Sequence, residues 1–81
     1  MEIGAVFGKV LRQKRKEAGL TQEQLSYEAD IQRNYVSLIE RGVHQPTIVV
    51  IFKLAKALKC TPSSLVAEVE SAISSPPTSD T

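Results

Sequence analysis

The stretch from Ile31 to Gly42 reads IQRNYVSLIERG. Ile31, Val36, Leu38 and Ile39 can form the apolar side of a short helix over about Gln32–Glu40, and Gly42 is placed to stop it. Gln32, Arg33, Asn34 and Ser37 lie off that side, close to the helix start. What this polar side is for depends on the elements that hold the helix.

Immediately upstream, Thr21 is followed three residues later by Gln24, the pattern in which each side chain satisfies an orphan backbone donor of a helix start. A second short helix, about Gln22–Glu28, follows with Leu25 and Ala29 facing inward, and Asp30 occupies the turn before Ile31. Aspartate tolerates the left-handed backbone better than most residues, though less well than glycine. Earlier still, Phe7, Val10, Leu11 and Ala18 predict a helix from about Ile3 to Glu17, stopped near Gly19. Lys9, Arg12 and Lys16 share its outward stripe, whereas Arg15 falls four residues after Leu11 on the apolar side, where a charge needs a partner.

Downstream, VHQPT makes a loop, and Thr47 can cap the next segment. That segment, IVVIFKLAKALK, opens with β-branched residues that suit a strand. Ile48, Ile51, Leu54, Ala55 and Leu58 nevertheless keep helical spacing, and a strand would lack a partner elsewhere in the chain, so a helix is expected. Thr61 and Pro62 signal a last helix, with Leu65, Val66, Val69, Ala72 and Ile73 as its apolar stripe. That stripe is either all core or extends into a dimer seam. One domain over residues 1–73 is expected, with residues 74–81 as a disordered tail.

Composition sets the outer bounds. Eighty-one residues, 42% hydrophobic with few aromatics, suit one small helical domain rather than an enzyme with a deep cleft. The single cysteine, Cys60, excludes an internal disulfide and a cysteine-clustered metal site, and packing outweighs redox sensing as its role. With one histidine and one cysteine, no nucleophilic or metal-binding set can be assembled, and there is no glycine-rich phosphate loop. No apolar run approaches a membrane span, and the N-terminal stretch is a poor signal peptide, so a cytoplasmic protein without cofactor is expected. The net charge of +1 hides an asymmetry: residues 1–60 hold ten basic and six acidic side chains, and residues 61–81 hold three acidic and no basic ones. The basic character is concentrated near the N-terminus, where it serves either as a solvated face or as a binding face.

Two short helices joined by a tight turn make a helix-turn-helix plausible, its second helix standing proud of the body. Such a helix fits the major groove of B-form DNA, where side chains near its start reach base edges. Arginine can fork onto guanine, and asparagine or glutamine can bridge adenine, each pair discriminating by roughly 1–3 kcal/mol. The polar side of IQRNYVSLIERG carries these residue types.

The segments TQEQLSYEADIQRNYVSLIERG and PTIVVIFKLAKALKCTPSSL together resemble the Cro and phage-repressor type of helix-turn-helix domain, the XRE family, over about Phe7–Val69. The resemblance implies an all-α, lambda-repressor-like bundle of five helices that binds operator DNA, usually as a two-fold homodimer on a palindromic site, and regulates transcription. It also implies roles for individual residues. Arg33 and Asn34 would be the leading base readers, with Gln32 and Ser37 secondary. Gln22 would contact a phosphate and Tyr35 the sugar-phosphate, although an aromatic there can also simply pack. Arg41, His44 and Gln45 would approach the backbone on the opposite flank. Arg15 would pair with Glu40, which supplies the partner its inward position demands. Three residues depart from the family pattern: Asp30 where glycine is usual, Gln32 where a capping Ser or Thr is common, and Val49 at a usually polar position. Val49, with Leu65, Val69 and Ile73, is a candidate for a dimer interface. The competing reading is a protein-interaction module, an antitoxin or adaptor, docking through the same surface or through the helix that carries Val49.

Overall fold

The structure is a computed structural model and describes residues 2–74. Five helices follow in order: α1 (Ile3–Glu17), α2 (Gln22–Ala29), α3 (Arg33–Glu40), α4 (Ile48–Ala57) and α5 (Pro62–Ser74). No strand occurs among the described residues. The expected tail lies, from residue 75 onward, outside them.

The helix starts follow their local chemistry. Thr21 Oγ1 accepts from the Gln24 backbone N–H at 3.0 Å, and Gln24 Oε1 accepts from the Thr21 N–H at 2.8 Å, which completes the capping box of α2. Thr47 and Thr61 accept in the same way from Val50 and Ser64, fixing where α4 and α5 begin. The β-branched front of α4 is thereby drawn into a helix.

The ends of α1 through α4 share one device. Each closes through a residue in the left-handed region, and the residue after it donates back to a carbonyl in the last turn. Gly19 and Gly42 fill that position after α1 and α3 at φ 73° and 77°. Asp30 fills it after α2 at φ 57°, and Lys59 fills it after α4 at φ 58°. The turn of the helix-turn-helix therefore has the conformation glycine would favour, with an aspartate in it.

Packing joins the helices into a closed ring: α1 lies on α3, α3 on α2, α2 on α4, α4 on α5, and α5 returns to α1. Leu11, Leu25, Val36, Ile39, Leu54 and Leu65 are fully buried at its centre. Arg15 shares the buried side of α1 with Phe7 and Leu11, as its spacing predicts.

Packing sorts the apolar residues of α4 and α5 into inner and outer ones. Leu65 and Val69, candidates for a dimer interface, are 0% and 6% exposed in the single chain because they close α5 against the core. Ile73 is half-buried against the same core. On α4 the inward face is Val50, Leu54 and Ala55, while Ile48 turns outward. Ile48, Val49 and Phe52 thus form an exposed apolar strip, with Val49 59% and Phe52 58% accessible.

Candidate nucleic-acid interface

The buried side of α3 is Val36, Ile39 and Glu40. These residues fix the helix, and Gln32, Arg33 and Asn34 at its start are exposed. Gln32 is the N-cap residue but makes no side-chain hydrogen bond to the helix start, so its carboxamide is not used in capping as a serine or threonine hydroxyl would be. Arg33 borders a shallow hollow with Glu23, Tyr27 and Glu28 of α2, and Gln32 and Asn34 border a second one with Tyr35 and Leu38. Ser37, one turn further along, is half-buried.

Of the other candidates, Tyr35 and His44 are brought together. Their rings meet edge to face with centroids 6.2 Å apart, linking α3 to the loop that follows it. Arg41 caps the end of α3 and is exposed. Gln45 is separated from this group, since its side chain lies over Gly4 and borders a groove with Ile3, Phe7 and Val66.

Beneath the surface, Arg15 Nε and Nη2 donate to Glu40 Oε2 and Oε1 at 2.6 and 3.1 Å, and Arg15 Nη1 donates to the Leu20 carbonyl at 2.9 Å. The buried guanidinium thus has a two-pronged partner and a backbone acceptor, which offsets its desolvation. Gln22 Nε2 also donates to Glu40 Oε1, at 3.0 Å. Sequence reasoning missed this bond, because nothing local connects residues eighteen positions apart. It also missed Ile48 and Phe52 as neighbours of Val49, since an unbroken apolar run does not mark which face turns out.

A family model for helix-turn-helix domains matches residues 11–65. The chain belongs to the helix-turn-helix family. Within its XRE type, this helix-turn-helix protein is similar to the restriction-modification controller protein C.AhdI from Aeromonas hydrophila, at 41% identity over 75% of this chain and 92% of that one, with a TM-score of 0.74. Control protein C.BamHI from Bacillus amyloliquefaciens is 38% identical over 79% of this chain and 80% of its own length. The HTH-type transcriptional regulator y4dJ of Sinorhizobium fredii is 33% identical over 82% and 86% of the two chains. This helix-turn-helix protein is a DNA-binding transcriptional regulator. Among its described residues no helix is long and apolar enough to cross a membrane, and no group of three or more His, Cys, Asp or Glu side chains is placed to hold a metal ion.

Proposed function

We propose that the protein is a controller-type regulator that binds without catalysis in the cytoplasm, reading a palindromic operator as a homodimer with one α3 in each half-site. The observation that carries the reading is the division of α3, whose start exposes Gln32, Arg33 and Asn34 while Val36 and Ile39 are wholly buried. A helix locked on one side and polar at its start presents side chains to base edges at little cost in disorder. Arg33 and Asn34 are the leading readers, and Gln32 and Ser37 support them. Gln22, at the start of α2, faces a phosphate, and Tyr35, His44 and Arg41 approach the sugar-phosphate chain beyond α3. The 41% identity to C.AhdI favours a controller over other XRE regulators. The exposed strip of Ile48, Val49 and Phe52 supplies the dimer contact.

The test is selection of a duplex from a random pool, followed by fluorescence anisotropy. Arg33→Ala should cost about 1–3 kcal/mol on the selected duplex and relax preference at one base pair, whereas Gln22→Ala should weaken all duplexes alike. Binding should fall steeply with salt, as a protein-docking module's would not. A wild-type protein that enriches no sequence sinks the proposal.

A further inference from the structure

The Gln22 carboxamide is held from behind. Its Nε2 donates to Glu40 Oε1, and Glu40 is itself gripped by two nitrogens of Arg15. An ionised carboxylate only accepts, so the contact fixes which end of the carboxamide is nitrogen. The flipped arrangement would press Oε1 against a carboxylate oxygen, acceptor against acceptor. One of the two Nε2 hydrogens is therefore committed to Glu40, and the other remains to be given. Glu40 is 9% exposed and is the last residue of α3, while Gln22 is half-buried and is the first residue of α2.

We propose that Glu40 is a positioning residue for DNA binding: it orients the Gln22 carboxamide so that the second Nε2 hydrogen is presented to a backbone phosphate. The inference rests on the reading of Gln22 as a phosphate contact. A phosphate oxygen, like a carboxylate, only accepts, so Gln22 helps binding through nitrogen and opposes it through oxygen. The terminal torsion of a glutamine is broad and roughly two-fold. Without Glu40, both ends of the carboxamide would turn toward the duplex. With Glu40, the donor alone does, and the same carboxylate ties the phosphate contact on α2 to the helix that carries Arg33 and Asn34. The ion pair with Arg15 keeps Glu40 stationary while it does this.

The wild-type protein gives the first test. Among its side-chain amide protons, one of the Gln22 pair should keep its NMR shift and slow exchange when the selected duplex is added, and its twin should move. Replacing the contacted phosphate by a neutral methylphosphonate should abolish that movement. Both protons moving together, or neither, overturns the proposal. A second test uses the double variant Arg15→Met with Glu40→Leu, which replaces the buried pair by apolar groups of similar size, an exchange often neutral for stability. It should weaken duplex binding about tenfold when Gln22 is present, and not at all when Gln22→Met is added. Equal losses in both backgrounds remove the positioning role and leave the phosphate contact intact. Unchanged affinity in Gln22→Met alone removes the phosphate contact itself. The wild-type spectrum decides the matter if the double variant fails to fold.

Discussion

A β-carbon on Gly8 would lie 2.5 Å from the Ile39 carbonyl oxygen and 2.6 Å from that of Glu40. Both obstacles are backbone, so no side chain can swing away to make room. Gly8→Ala must lift α1 off the end of α3, and it should destabilise the domain by about 2–3 kcal/mol and lower its thermal midpoint by roughly 10 °C or more. Circular dichroism melts would reveal it, and an unchanged midpoint would contradict the seating of α1. Lys59 predicts the opposite sign. Its φ of 58° strains any residue with a side chain, so Lys59→Gly should gain about 1 kcal/mol, or roughly 4–8 °C. Three of the four left-handed positions were legible, because Gly19, Gly42 and Asp30 are residue types that adopt that conformation. Lys59 was not, since the demand there comes from the connection between α4 and α5 and lysine carries no trace of it.

Helix α1 is fastened to α5 by Lys14, which forms an ion pair with Glu68. The hydrogen bond to Glu68 raises the Lys14 pKa above its ordinary value of 10.5, with attraction from Glu68 and Glu17 adding to it and partial burial opposing it. A group whose pKa rises on folding stabilises the folded state at pH values below the unfolded pKa, and that contribution fades as pH climbs through the folded one. Melts of wild type and Lys14→Met should therefore differ at neutral pH and converge above pH 10.5. A gap that persists in strong alkali would mean that the lysine acts through packing alone. All five helices were legible at this scale, because apolar spacing marks each of them and Thr21, Thr47 and Thr61 mark where α2, α4 and α5 begin. Orientation was legible only where polar residues interrupt the apolar ones. Arg33 and Asn34 define the outer side of α3, but the run Ile48–Phe52 has no such marker, and only packing decides that Val50 goes in and Ile48 out. The bond from Gln22 to Glu40 was illegible for the same reason, because it exists only once two helices are in place.

In the whole molecule, the ring of contacts supports α2 and α3 from different sides, α3 by α1 and α2 by α4, with α5 joining the two supports. The pair proposed to meet DNA is thus mounted on a closed frame rather than on a hinge. The α4 strip stands outside this frame, so changing it should alter assembly without altering the fold. Val49→Glu with Phe52→Glu should leave the helix content and melt nearly unchanged while holding the protein at the one-chain mass in analytical ultracentrifugation, where wild type should shift to the two-chain mass as its concentration rises. A wild type that stays at one-chain mass at every concentration would show that the strip serves another purpose. If the strip does join two chains weakly, output becomes a nonlinear function of supply. Two-headed molecules then multiply as the square of the copy number, and halving synthesis removes roughly three-quarters of them. A greasy patch of three side chains would thus make a cell's response to dose steeper than proportional.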